Sequence, residues 1–152
     1  MIGRCCSLIL LGVALSACAI AGKWVGAEGA PRDLDVLLRQ NRIADGENIK
    51  AVRVIRNEHV EQLLVQVRDR EPLHYHADSD LTVIMLRGKG VIRIGANETP
   101  IRAGDVVHVP RRVVHAYIND GPEVGVAFVV MTPPPGPADR VLTEPGKQQP
   151  VR

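Results

Sequence analysis

The chain has 152 residues, a length that favours one domain once its ends are set aside. Aromatic residues are only 3% against 45% hydrophobic overall, so any core is built from Val, Ile and Leu, a composition that favours sheet. The net charge is +2 and the Arg and Lys residues are scattered; with neither a basic run nor an aromatic platform, nucleic acid is excluded as a partner. Cys5, Cys6 and Cys18 all fall within the first eighteen residues, which excludes a disulfide framework in the folded part.

Residues 1–22 read as an export leader. "MIGRCCSLILLGVALSACAIAGK" opens on Arg4, continues as an apolar run and ends at Lys23. A retained helix fits less well, because the run from Cys5 to Gly22 is barely long enough to span a bilayer and Ser7, Gly12 and Ser16 weaken it. "LSAC", Leu15 to Cys18, resembles the lipobox of bacterial lipoproteins. That resemblance implies lipidation at Cys18, a location on the periplasmic side and an acyl anchor in the membrane. Ordinary cleavage after Ala27, in "VGA", is the alternative.

Residues 23–49 are expected to form a linker and a short helix. The stretch from Gly22 to Arg32 is Gly/Ala-rich, and "DLDVLLRQN" (Asp33 to Asn41) has acidic residues first, an apolar side and Arg39 near its end. Strand patterns follow over Lys50–Arg56, Glu61–Asp69, Leu81–Arg87, Gly90–Gly95, Gly104–Pro110 and Glu123–Pro133. The separators, "ADGEN", "RGKG", "GANE", "RAGD" and "NDGP", are turn chemistry, with Gly88, Gly95 and Gly104 as turn formers. Short strands without intervening long helices predict an all-β antiparallel sandwich or small barrel over residues 50–133. The remainder, residues 134–152, is Pro/Gly-rich and polar and is expected to be a flexible tail.

Two histidine-bearing segments carry the chemistry. In "LHYHADSDLTVIMLRG", His74 and His76 share one face of a strand, about 7 Å apart along the backbone. In "GDVVHVPRRVVHAYIN", His115 opens an extended stretch after a turn. Together they resemble the cupins, the small jelly-roll β-barrel superfamily. The first cupin motif, H-x-H, three or four residues, Glu, six residues, Gly, finds His74, His76 and Gly88. The second, Gly, five residues, P-x-G-x-x-H-x-x-x-N, finds Gly104, Pro110, His115 and Asn119. Two departures stand out: Leu81 occupies the glutamate position and Arg112 that of the inner glycine.

The resemblance implies a cupin-type antiparallel jelly roll in which His74, His76 and His115 hold a divalent metal (Fe, Zn, Mn or Ni). It also implies a small-molecule ligand and a homodimer paired through edge strands. Three neutral imidazoles leave the 2+ charge of such an ion uncompensated, lowering affinity for a hard cation and raising Lewis acidity. Thiol dioxygenases, also cupins, use three histidines on iron without the glutamate. Asp80, next to Leu81, is a possible substitute ligand if the "ADSD" turn curls back, although the register points Leu81, Val83 and Met85 inward and Asp80 outward.

Tyr117, two residues after His115, shares its face and reaches the pocket or is simply a hydrogen-bonded barrel residue. Arg111 and Arg112 stand near the barrel mouth, where Arg112 is expected to border the pocket. His59 and His108 match no motif position. No general base is evident beyond the ligands. Two functions remain open: a metal-dependent cupin acting on or sensing a small polar molecule, or a metal-free binding or scaffolding module.

Overall fold

The computed structural model describes residues 20, 22–26 and 29–143. The export leader, the lipidation expected at Cys18 and residues 144–152 lie outside the described residues. Two short strands, β1 (Lys23–Trp24) and β2 (Arg32–Asp33), pair antiparallel ahead of helix α1 (Leu34–Gln40). The helix begins where expected because Asp33 caps it, its carboxylate accepting the Asp35 and Val36 N–H groups that have no partner inside the helix. Leu34 and Leu38, four residues apart, are its buried face and pack on Val54, Leu64 and Val126. Each such burial is worth roughly 1.5–3 kcal/mol. Among the described residues no helix is long and apolar enough to cross a membrane.

The barrel is made of β3 (Ile49–Arg56), β4 (Glu61–Val67), β5 (His74–His76), β6 (Asp80–Arg87), β7 (Lys89–Ile94), β8 (Asn97–Arg102), β9 (Val106–Val109), β10 (His115–Asn119), β11 (Gly125–Thr132) and β12 (Arg140–Leu142). They form two five-stranded sheets, ordered β3-β4-β11-β6-β9 and β12-β5-β10-β7-β8. All pairings are antiparallel. Alternation decides what each strand faces. In β4, Leu63, Val65 and Val67 line an internal cavity, while Leu64 on the other face packs against α1. In β6, Leu81, Val83 and Met85 point inward as the pattern predicts.

Two segments depart from expectation. The first is β8, which starts within "GANE" at Asn97 and shows little alternation because only Ile101 of its six residues is buried. As an edge strand it tolerates Pro100, whose missing N–H would interrupt an interior strand. The second corrects the flexible tail over its first part: Asp139 is 1% exposed, and β12 pairs with β5 through Arg140↔His76 and Leu142↔His74. The polar composition hides this because the ordering contact is a histidine 63 residues earlier in the chain.

Candidate metal centre

Residues His74 and His76 are buried on the inner face of β5, with Tyr75 between them facing the other way. His115, first residue of β10, is the direct cross-strand partner of His74, so the pairing of two distant segments brings the third ring to the first two. The ring centroids are 4.3 Å (His74–His115), 5.3 Å (His74–His76) and 5.6 Å (His76–His115) apart. One ligand nitrogen from each lies within 4.8 Å of the others. The expected set of three is therefore assembled.

The tautomers follow from the hydrogen bonds. His74 Nδ1 lies 2.8 Å from the Pro72 carbonyl oxygen and His115 Nδ1 3.0 Å from that of Val113. A carbonyl only accepts, so each Nδ1 carries the proton and each Nε2 keeps a lone pair. His76 Nδ1 donates to the Asp139 carboxylate at 2.5 Å, an arrangement that orients an imidazole and raises its basicity toward a metal. Asp139 itself is clamped by the N–H groups of Asp78 (2.7 Å) and Ser79 (3.1 Å). Burial opposes its charge, but these donors prevail and hold its pKa below the usual carboxylate value.

Burial, reinforced by the neighbouring His115 and Arg140 charges, lowers the His74 pKa to about 3. Burial likewise takes His115 to about 4, and it lowers His76 although Asp139 pulls the other way. All three rings are neutral at pH 7, the form that binds a metal. Neutral, convergent, buried imidazoles with no proton on the inward nitrogens suit zinc or iron(II), with coordination positions left over.

Asp80 does not substitute for the absent glutamate. Its carboxylate forms a fork with the Arg111 guanidinium (3.1 and 2.7 Å) and accepts the Arg111 N–H at 2.8 Å, all outside the histidine group. Those bonds lower its pKa to about 2, and they explain why the turn does not curl inward. Leu81 fills the glutamate position with alkyl, 6% exposed and packed with Val109, Val129 and Met131. A carboxylate there would offset one unit of metal charge. Leu81→Glu is expected to lower the melting temperature of the metal-free protein and to raise divalent-metal affinity about tenfold or more by calorimetry. Unchanged affinity would contradict the inward placement of this side chain.

Tyr117 lines the cavity, but its hydroxyl donates to the Lys89 carbonyl oxygen at 2.9 Å and is committed there. Its ring occupies space left by two glycines, since a Cβ on Gly90 or Gly125 would come within 2.7 or 2.9 Å of it. Arg112 does not border the pocket: it is exposed, with Nε donating to the Ala77 carbonyl oxygen at 3.2 Å. It adopts φ 65°, the left-handed conformation that the motif's glycine would supply more cheaply. Asn119 ties a turn, its side-chain amide donating to the Arg68 and Glu123 carbonyls.

The cavity behind the histidines measures about 320 Å³. Besides the imidazoles and Tyr117, its polar lining is Glu71 and Arg140; the rest is apolar. Glu71, Asp139 and Arg140 were not legible as site residues, since none falls in either motif.

An antiparallel double-sheet barrel enclosing three convergent imidazoles defines a small β-barrel protein with a candidate metal centre. Residues 62–131 match the family model of the cupin domain. It is 29% identical over 113 residues to a protein of Aquifex aeolicus (strain VF5), covering 74% of this chain and 92% of that one. A Klebsiella pneumoniae protein with a double-stranded β-helix domain is similar in fold, with a TM-score of 0.61 at 22% identity over 70% of this chain and 94% of its own. Streptomyces PAC13, solved with uridine, gives 0.56 at 16% identity over 64% and 79%.

Proposed function

We propose that the protein binds one divalent metal ion through His74, His76 and His115 and uses it to act on, or sense, a small molecule held in the barrel. The observation that carries this reading is the convergence of three neutral imidazoles whose Nδ1 atoms are all engaged elsewhere. When bound, the metal would supply Lewis acidity, heightened by the absence of a carboxylate ligand. The chain's own contributions are definite. Asp139 holds His76 in one tautomer, and the carbonyls of Pro72 and Val113 do the same for the other two rings. The leader-like pattern of residues 1–22 and the lipobox-like "LSAC" support reading it as a periplasmic, lipid-anchored protein, and the sheet edges at β8 and β12 are compatible with a homodimer.

A second reading is favoured by Leu81, which places an apolar group where a ligand carboxylate would stand. In that reading the barrel is a metal-free binding or scaffolding module. Elemental analysis of protein purified without a histidine tag decides between the two. One equivalent of Zn, Fe, Mn or Ni, lost in His76→Ala, supports the metal centre; no metal in either protein supports the binding module.

A further inference from the structure

The lining of the cavity restricts what can enter it. The Nδ1 atoms of its imidazoles and the Tyr117 hydroxyl are already bonded to other groups of the chain. Burial raises the pKa of Glu71, whose carboxyl accepts the Tyr117 N–H at 3.2 Å. The permanent charge is Arg140. It pairs across the strands with His76, so both side chains stand on the same face of the sheet. It is exposed as well as cavity-lining, which puts it at the mouth, and its charge reaches Glu71 and all three imidazoles. Among the described residues its guanidinium takes part in no ion pair.

Beyond this mouth the walls are aliphatic, with Val83, Met85, Ile92 and Val129 among them. A polyhydroxylated ligand would leave its hydroxyls facing hydrocarbon without partners. A cation would meet Arg140, and a metal centre without a carboxylate ligand would repel it further. A planar carboxylate, by contrast, matches the guanidinium fork. The volume of about 320 Å³ has room for about ten water-sized groups.

We propose that the cavity takes a small monocarboxylate with a hydrocarbon body, its head held at Arg140 beside the histidines and its body against the aliphatic walls. This deepens the metal-centre reading by naming the ligand class, and it narrows the expected small polar molecule to one with a single polar end.

The test uses the cobalt(II)-loaded protein, whose visible spectrum reports ligands arriving at the histidines, with acetate, 4-methylpentanoate and 4-methylpentanamide as probes. The longer acid is expected to bind at least tenfold more tightly than acetate, at about fourfold per buried methylene. It is also expected to bind at least tenfold more tightly than its amide. Arg140→Gln should cut the preference for acid over amide at least fivefold, and Arg140→Lys should fall between. Equal binding of acid and amide, equal binding of acetate and the longer acid, or an unchanged preference in Arg140→Gln overturns the proposal. If the chain binds no cobalt, the metal reading fails separately. Calorimetry of the same acids on metal-free protein then decides: Arg140-dependent binding sustains the ligand class, and no binding overturns it.

Discussion

Replacing Asp139 with alanine is expected to lower the stability of the protein by about 3–5 kcal/mol, because three donors aimed at a buried carboxylate lose their acceptor at once. The carboxylate is 0% exposed and receives the N–H groups of Asp78 and Ser79 and the Nδ1–H of His76. No water reaches the site to replace it. Asp139→Asn separates the two roles of the residue. The amide oxygen still accepts from the main chain, but its NH2 group then confronts the His76 Nδ1–H, donor against donor. Relief comes by moving the imidazole proton to Nε2, which removes the lone pair needed for a metal. Asp139→Asn is thus expected to fold with a smaller stability loss yet bind metal 10- to 100-fold more weakly, measured by competition with a chromogenic chelator. An asparagine variant with unaltered metal affinity would reduce Asp139 to a clamp on the Asp78–Ser79 turn.

The second large effect is acid lability of the metal-free protein. His74 and His115 have pKa values taken from 6.5 down to about 3 and about 4, chiefly by burial. Above 6.5 neither the folded nor the unfolded chain protonates them, so they contribute no pH dependence there. As pH falls below 6.5 the unfolded chain takes up protons that the folded one refuses, and stability drops until the folded pKa values are reached. Between pH 7 and pH 5 this amounts to nearly 2 kcal/mol for each residue, about 4 kcal/mol together. The depressed Asp139 pKa acts in a lower window, below the ordinary carboxylate value, and adds to the loss only in stronger acid. Urea unfolding after chelation, at pH 7 and pH 5, measures the difference. The double variant His74→Gln, His115→Gln should show a much flatter dependence. Equal wild-type stability at the two pH values would mean that water reaches these rings.

Local pattern and tertiary partnership divide the protein cleanly. Helix α1, the alternation that turns Leu81, Val83 and Met85 inward, and the spacing that puts His74, His76 and His115 at motif positions are short-range properties. A strand's period and a cap's geometry are set by residues two to four apart, so they are legible in the order of residues alone. The edge strand β8 was not, since one buried residue in six leaves no period to read.

Which groups support the histidines is another matter. Asp80 is adjacent to the glutamate position in sequence yet goes to Arg111, 31 residues away, because the β6–β9 pairing brings that turn alongside it. Asp139 lies in a segment whose composition predicts a tail, yet it holds His76 because β12 adds to the open edge of β5. Arg140 enters the cavity wall by the same pairing. The order of residues alone thus determined a β-barrel and three candidate ligands. Only the packing of one sheet edge decided which carboxylate orients His76 and which cation guards the entrance, because strand partners are chosen by topology and buried area across the whole chain rather than by their neighbours in it.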